Sequence, residues 1–374
     1  MKILTISNYY PSHPGGIEIV AKNLVSRWRK THQVRWAAGD ISRFPYNYDT
    51  DDVPLPSSNF TEERLGFPYP IPNASAIIQI IKQVIWSDIV HLHDCLYFSN
   101  IIAFLASFFL SKPMVLTQHI GIVPYKEAYK VVLQKLAYKT IGKLILKRAK
   151  GVIFVNDKVK NWFEENIRIS KALTIQNGVD HSLFFPPTDA ERKTIRNHLG
   201  FSEHATVLLF IGRFAPKKGL HIIKKIASAR PQYQWLMVGN GEIDISNWQM
   251  SHIKKIPQQP QINLRKYYIA ADLFVLPSTG EGFPLSVQEA LSCGVPVVVS
   301  EDIASSLPDA PLIKFDISKI ENVIEVLDKT VMDQEFLTET SDASKEYSKR
   351  WNWDAISHQY EEYFIQMINK INRN

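Results

Sequence analysis

Four stretches carry residue types whose spacing could do chemistry. The most informative is 277–299, PSTGEGFPLSVQEALSCGVPVVV. A strand-like apolar run stops at Pro277, and a turn, Gly280-Glu281-Gly282, follows. Phe283-Pro284-Leu285 then opens a stretch with helical spacing. Proline suits the first turn of a helix, where a missing N–H loses no bond. The free backbone N–H groups of a helix start favour anions such as phosphate. Glu281 lies in the turn. Glu289 lies inside the helix, where it could accept hydrogen bonds from ribose hydroxyls. The second stretch is FIGRFAPKKGL, 210–220. A buried-strand pattern delivers Gly212-Arg213 to a loop, and Lys217-Lys218-Gly219 leads into a helix. A planar guanidinium and a point-charge ammonium at one strand end suit a diphosphate. The third is LMVGNGE, 236–242, where a strand runs into Gly239-Asn240-Gly241; alone this signal is weak. In the fourth, Gly15-Gly16 separates a strand pattern from a helix pattern, which lets a phosphate or sugar approach the backbone closely. The full GxGxxG spacing is missing, which disfavours a nicotinamide cofactor.

Further candidates sit on apolar strands. His119 closes PMVLTQH, at the carboxyl edge where doubly wound sheets bind ligands. In His91-Leu92-His93-Asp94, strand alternation puts both histidines on one face. No third ligand stands at metal spacing, so no metal site is expected. Cys95 and Cys293 lie far apart and build neither a disulfide framework nor a zinc ribbon. Each is expected to be buried and inert, in a reducing compartment.

These residues need elements to hold them. Strand patterns occur at 2–10, 33–38, 88–92, 113–117, 151–155, 205–211, 233–238, 272–276 and 295–299, with helical spacing between most of them. Helices are expected at 189–198, 218–229 and 284–293. Strands alternating with helices imply mostly parallel sheets covered on both faces. The pattern breaks at NGVDHSLFFPPT, 177–188, and restarts. The reading is therefore two α/β domains: 1–183, 184–350, and a closing helix, 351–374, that packs back toward the first domain. The window Leu96 to Leu110 is too short to span a bilayer and reads as a buried helix. The first ten residues do not read as a secretory leader.

The formal charge of the 374-residue chain is +6, unevenly spread. Residues 1–180 carry 22 Lys and Arg against 14 Asp and Glu, while the remainder carries 21 against 23. The first half should therefore meet something anionic, either nucleic acid or a membrane surface. No nucleic-acid recognition motif supports the former. Within 125–150, Lys126, Lys130, Lys135, Lys139, Lys143 and Lys147 recur every four or five residues, and Glu127 is the one acid. This predicts a basic helical stripe, suited to an anionic membrane surface or a polyprenyl-diphosphate acceptor. A solvated face on a core helix is the alternative.

Taken together, the chain resembles the nucleotide-sugar glycosyltransferases of glycosyltransferase family four. The residues that carry the likeness are Gly15-Gly16 with the following helix, His91 to Asp94, Thr117-Gln118-His119 and Asn177-Gly178-Val179-Asp180. Gly212-Arg213, Lys217-Lys218-Gly219 and the E-x7-E pair Glu281 and Glu289 complete it. The likeness spans nearly the whole chain and is weakest across 41–75. It implies a GT-B fold of two Rossmann-like domains and a retaining, metal-independent transfer from a UDP- or GDP-linked sugar. By this likeness Arg213 and Lys218 hold the diphosphate, Glu289 binds ribose, and Glu281 and His119 lie at the donor sugar. Gly15, Gly16, Gly212, Gly239, Gly282, Phe283, Pro284 and Leu285 would line the donor site. The expected acceptor is a lipid-linked or surface-polysaccharide intermediate, and the expected location is the cytoplasm, peripheral on the membrane. Alternatives are a soluble transferase acting on a small molecule or storage glucan, an epimerase of the same fold, and a non-enzymatic nucleotide-sugar-binding subunit.

Overall fold

The computed structural model describes residues 1–13, 15–42, 45–65, 68–124, 127–169 and 172–372. The chain divides into two compact units, Met1–Asn177 with Trp353–Asn374, and Gly178–Asn352. The first division falls before 183 for a physical reason. Val179 N donates to Trp351 O at 2.8 Å and bridges to Asn352, so the segment after Asn177 packs with the second unit.

In the first unit the strands are β1 (Lys2–Tyr9), β2 (Gln33–Asp40), β3 (Asp52–Ser58), β4 (Ile71–Pro72), β5 (Ile89–His93), β6 (Met114–Gln118), β7 (Gly151–Phe154) and β8 (Ala172–Thr174). They form one sheet in the order β4-β3-β2-β1-β5-β6-β7-β8, parallel except at β3 and β4. The helices are α1 (Gly16–Trp28), α2 (Phe60–Leu65), α3 (Ala74–Trp86), α4 (Phe98–Phe109), α5 (Ala128–Ala137), α6 (Lys143–Arg148) and α7 (Asp157–Ile167). β1, β5, β6 and β7 are buried almost throughout, as strands covered on both faces must be. The final helix, Trp353–Asn372, belongs to this unit. Its Ser357 carbonyl accepts from Trp28 Nε1 at 3.1 Å, and its Phe364 ring lies 5.2 Å from that of Trp28.

The second unit opens with α8 (Asp189–His198). Its sheet contains β9 (Val207–Ile211), β10 (Gln234–Val238), β11 (Ile253–Ile256), β12 (Leu273–Leu276), β13 (Val297–Ser300) and β14 (Leu312–Phe315), all parallel, in the order β11-β10-β9-β12-β13-β14. Around it lie α9 (Leu220–Ala229), α10 (Arg265–Ala270), α11 (Leu285–Ser292), α12 (Glu301–Ala304), α13 (Ile320–Met332) and α14 (Gln334–Ser348). The final helix Trp353–Asn372 is thus α15. In both sheets the strand order reverses beside the first strand, between β1 and β5 and between β9 and β12. Doubly wound sheets open a crevice at such a point, outside the carboxyl ends of the strands.

The expected basic helix runs without a break from Ala128 to Arg148, with α5 and α6 joined through a wider π turn at Tyr138–Gly142. Lys126 lies outside the described residues. One expectation about helices changes. The helix within 96–110 is not fully buried, since Leu105, Phe108 and Phe109 of α4 are exposed. Periodicity found the helix; only the packing decides how many of its apolar sides have a neighbour.

Candidate active site

In the second unit, β9 and β12 end side by side at the reversal. Gly212 and Arg213 follow β9, and Lys217 and Lys218 lie on the 3-10 turn Pro216–Lys218. After β12 the chain runs through Gly280, whose N–H donates to Asp302 Oδ2 at 2.8 Å, to Glu281. Lys218 Nζ is 2.8 Å and Lys217 Nζ 3.9 Å from Glu281 Oε1. The turns are tied together by Thr279 N donating to Lys217 O at 3.0 Å. Burial alone would raise the Glu281 pKa. The charges of Lys218, Lys217 and Arg213 overcome it and bring it down to about 2. Glu281 is therefore ionised across the physiological range. Glu281 opposes a fall at Lys217, but burial and the neighbouring Lys218 and Arg213 still push its pKa below the ordinary lysine value. A diphosphate arriving here would share Lys218 with Glu281. Arg213 is partly exposed and pairs with Glu242 at 3.4 Å.

Gly239 follows β10 beside the Gly212 turn. Its φ is +149°, and a Cβ there would overlap the Gly212 carbonyl. The loops after β9 and β10 can thus close together only with glycine at 239. Gly282 and Phe283 are buried, with the Phe283 ring 6.0 Å from that of Trp351, and Pro284 caps α11, whose first residue is Leu285. Glu289, one turn further along α11, is buried. Its Oε2 accepts from Tyr268 Oη at 2.7 Å and its Oε1 from Gln261 Nε2 at 2.8 Å. Burial lifts its pKa to about 7 despite these donors. Both oxygens have protein partners, so a ribose hydroxyl would have to share or displace one.

In the first unit, Gly15 and Gly16 stand where β1 gives way to α1, and His119 follows β6. His119 is buried, with its Nε2 2.8 Å from His93 Nδ1 and its N–H donating to Asp94 Oδ1 at 2.8 Å. Burial holds its pKa down to about 3, so the imidazole is neutral near pH 7. Asp94 adopts a left-handed turn, φ 64°, and Asn100 Nδ2 donates to its carbonyl at 2.7 Å. His91 lies on the same strand face as His93, ring centroids 4.5 Å apart, and bonds to Thr117 Oγ1 at 2.8 Å. Among the described residues no three His, Cys, Asp or Glu side chains converge as metal ligands. Both cysteines are buried, and burial raises both thiol pKa values.

The sequence reading missed a polar cluster around the glycine loop. His13 stacks on Tyr9, ring centroids 3.8 Å apart, and its Nε2 lies 3.2 Å from Glu62 Oε1. Tyr9 Oη donates to Asn59 Oδ1 at 2.8 Å, and Asn59 Nδ2 donates to Glu62 Oε2 at 2.9 Å. Glu18 is buried against the loop, and a Cβ on Gly15 would overlap its carboxylate. One signal was present: Glu18 stands three residues after the helix-capping Gly15, where acids commonly reach back over a helix start. The partners at 59 and 62 come from the stretch with least pattern.

Comparison with known proteins completes the picture. Residues 14–183 match the family described as Glycosyltransferase Family 4, and residues 191–307 match Glycosyl transferases group 1. A Bacillus subtilis (strain 168) glycosyltransferase named for teichuronic acid biosynthesis, TuaC, is 30% identical over 232 residues, 61% of this chain and 57% of that protein. The likeness thus spans little more than half of that relative. GDP-mannose:cellobiosyl-diphosphopolyprenol alpha-mannosyltransferase of Xanthomonas oryzae pv. oryzae (strain PXO99A) is 24% identical over 392 residues, covering 96% of this chain and 95% of its own. Sucrose-phosphate synthase of Thermosynechococcus elongatus superposes with a TM-score of 0.81 at 18% identity, over 99% of both chains, which shows a shared fold. With its two α/β units matched in turn by these two families on a GT-B architecture, the chain belongs to the family-four glycosyltransferases, enzymes that transfer a sugar.

Proposed function

We propose that this glycosyltransferase moves a hexose-type sugar from a nucleotide diphosphate sugar, UDP- or GDP-linked, with retention of anomeric configuration and without a bound metal. The observation that carries the reading is the Arg213, Lys217 and Lys218 cluster packed around Glu281 where β9 and β12 end. As the sugar's anomeric C–O bond breaks, the electron pair goes to the diphosphate. Fixed cations aimed at that developing charge lower the barrier more than they stabilise the ground state. The acceptor hydroxyl oxygen forms the new bond on the face the diphosphate leaves, and its proton passes to the departing phosphate oxygen. No enzyme nucleophile is needed. Glu281 contacts the donor sugar, Glu289 takes the ribose, and the backbone from Gly282 to Leu285 faces the phosphates; the role of the neutral His119 toward the sugar is the one that the family likeness implies.

The acceptor is a lipid-linked or surface-polysaccharide intermediate, and the enzyme works peripherally on the cytoplasmic side of the membrane. The substrate in the Xanthomonas relative's name and the pathway in the Bacillus relative's name support this reading. So do the exposed lysines of α5 and α6. Among the described residues no helix is long and apolar enough to cross a membrane. The test is a panel of UDP- and GDP-sugars in EDTA, scored by released nucleotide and by NMR of the product anomer. One donor should be consumed with its anomeric configuration kept. Activity restored only by Mg²⁺ or Mn²⁺, or an inverted product, would overturn the mechanism. Transfer to small soluble acceptors but to no lipid-linked one would replace the acceptor reading.

A further inference from the structure

Four helices of the first unit share a composition. α3, α4 and the α5–α6 pair lie between parallel strands that step in one direction across the sheet, from β3 (by way of the short β4) to β5, then to β6 and β7. Right-handed crossovers put all of them on one face. They form a layer: α3 packs on α4, and Arg148 of α6 lies over the Phe108 ring of α4 at 5.1 Å. Residues 74–86, 98–109 and 128–148 contain no Asp or Glu. Ile78, Ile81 and Ile85 are exposed at helical spacing on α3. On α4, Leu105 and Phe108 are exposed, and Phe109 is 79% exposed. Val132, Leu133 and Leu136 are exposed on α5, and Lys135, Lys139, Lys143 and Lys147 are exposed among and beyond them. Lys130 differs, being half-buried and ion-paired with Glu127 at 3.3 Å.

A solvated helix face seldom leaves aliphatic and aromatic stripes uncovered on three neighbouring helices, and such surfaces mark interaction sites. Exposed apolar residues mixed with lysines, free of acids, are what an interfacial element shows. A second copy of this chain fits poorly, because two such faces would bring like charges together. We infer that this helical layer is a docking face for an anionic lipid bilayer. The apolar side chains of α3, α4 and α5 sink to headgroup depth, and the lysines of α5 and α6 meet lipid phosphates. The inference extends the proposed lipid-linked acceptor by naming the surface that holds the enzyme beside it.

Co-sedimentation of the full chain with phosphatidylcholine vesicles, with and without phosphatidylglycerol, tests this at low and high salt. The wild type should bind the anionic vesicles far better. A Lys135→Gln, Lys139→Gln, Lys143→Gln variant should bind more weakly at low salt, by about fivefold per lysine. A Phe109→Ser, Leu133→Ser, Leu136→Ser variant should lose the part of binding that survives high salt, where charge attraction is screened. Unchanged melting temperatures would establish that both variants fold. Equal binding to neutral and anionic vesicles, no binding by the wild type, or wild-type binding by both variants overturns the inference. So does a dimer, seen by sedimentation velocity without vesicles, that the serine variant dissociates. The assay contains no donor or acceptor, so it separates the two readings. Docking without transfer to a lipid-linked sugar would leave the surface standing and remove the acceptor; the reverse result would remove only the surface.

Discussion

At the scale of the residue, the site is a balance of buried charge. Lys218, Lys217 and Glu281 are legible in the sequence as separate candidates, but not as one cluster, because 62 residues of chain lie between Lys218 and Glu281 and only the folded sheet brings their turns together. Glu289 shows the opposite balance: among the described residues no cation pairs with it, and burial lifts its pKa to about 7. The folded protein therefore keeps a proton that the unfolded chain releases near 4.5. The stability from this proton is full below that pH and declines as pH rises toward 7, by about 3 kcal/mol. Asp94, also raised to about 7 by burial, adds a decline of the same sign. Glu289→Gln should thus melt higher than the parent at pH 8 and close to it at pH 4. Gln261 can turn its amide to serve the new side chain. An identical pH dependence of melting in both proteins would show that Glu289 is not buried as a proton-holding group.

At the scale of the element, apolar runs located the central strands to within a few residues, and 189–198 was found as α8 with no shift. The edges were not legible. β3 carries Pro54 and Pro56, which weaken a strand pattern. β11, Ile-Lys-Lys-Ile, keeps its lysines exposed on a sheet edge, so little apolar signal remains. The glycine loops were legible as turns, while the reason for each glycine needed the neighbouring loop. Gly239→Ala tests that reason. The new Cβ would push the β10 loop off the Gly212 carbonyl. The variant should lose about 1–3 kcal/mol of stability, and donor turnover should fall more than tenfold because Arg213 follows directly on Gly212 in the chain. Wild-type kinetics with an unchanged melting temperature would detach this loop from the site.

At the scale of the whole molecule, two α/β units of one plan were visible in the sequence as a repeated pattern. A closing helix that packs toward the first domain was expected at 351–374; the buried contacts that hold α15 there are tertiary and had no sequence signal. Trp28, Tyr360 and Phe364 are all buried at most 1% exposed. At roughly 2 kcal/mol per buried large side chain, ending the chain at Asn352 should remove about 6 kcal/mol, comparable with the stability of a whole domain. The shortened chain should lose the cooperative unfolding of its first unit in calorimetry; an unchanged transition would show that α15 is dispensable. The account rests most heavily on the cations of the second unit as stabilisers of a leaving diphosphate. The direct measurement is turnover at saturating donor, in EDTA, for the wild type, Lys218→Ala and Arg213→Ala. Each variant should turn over about 10²–10³ times more slowly than wild type. Near wild-type turnover in either would contradict the role given to that residue.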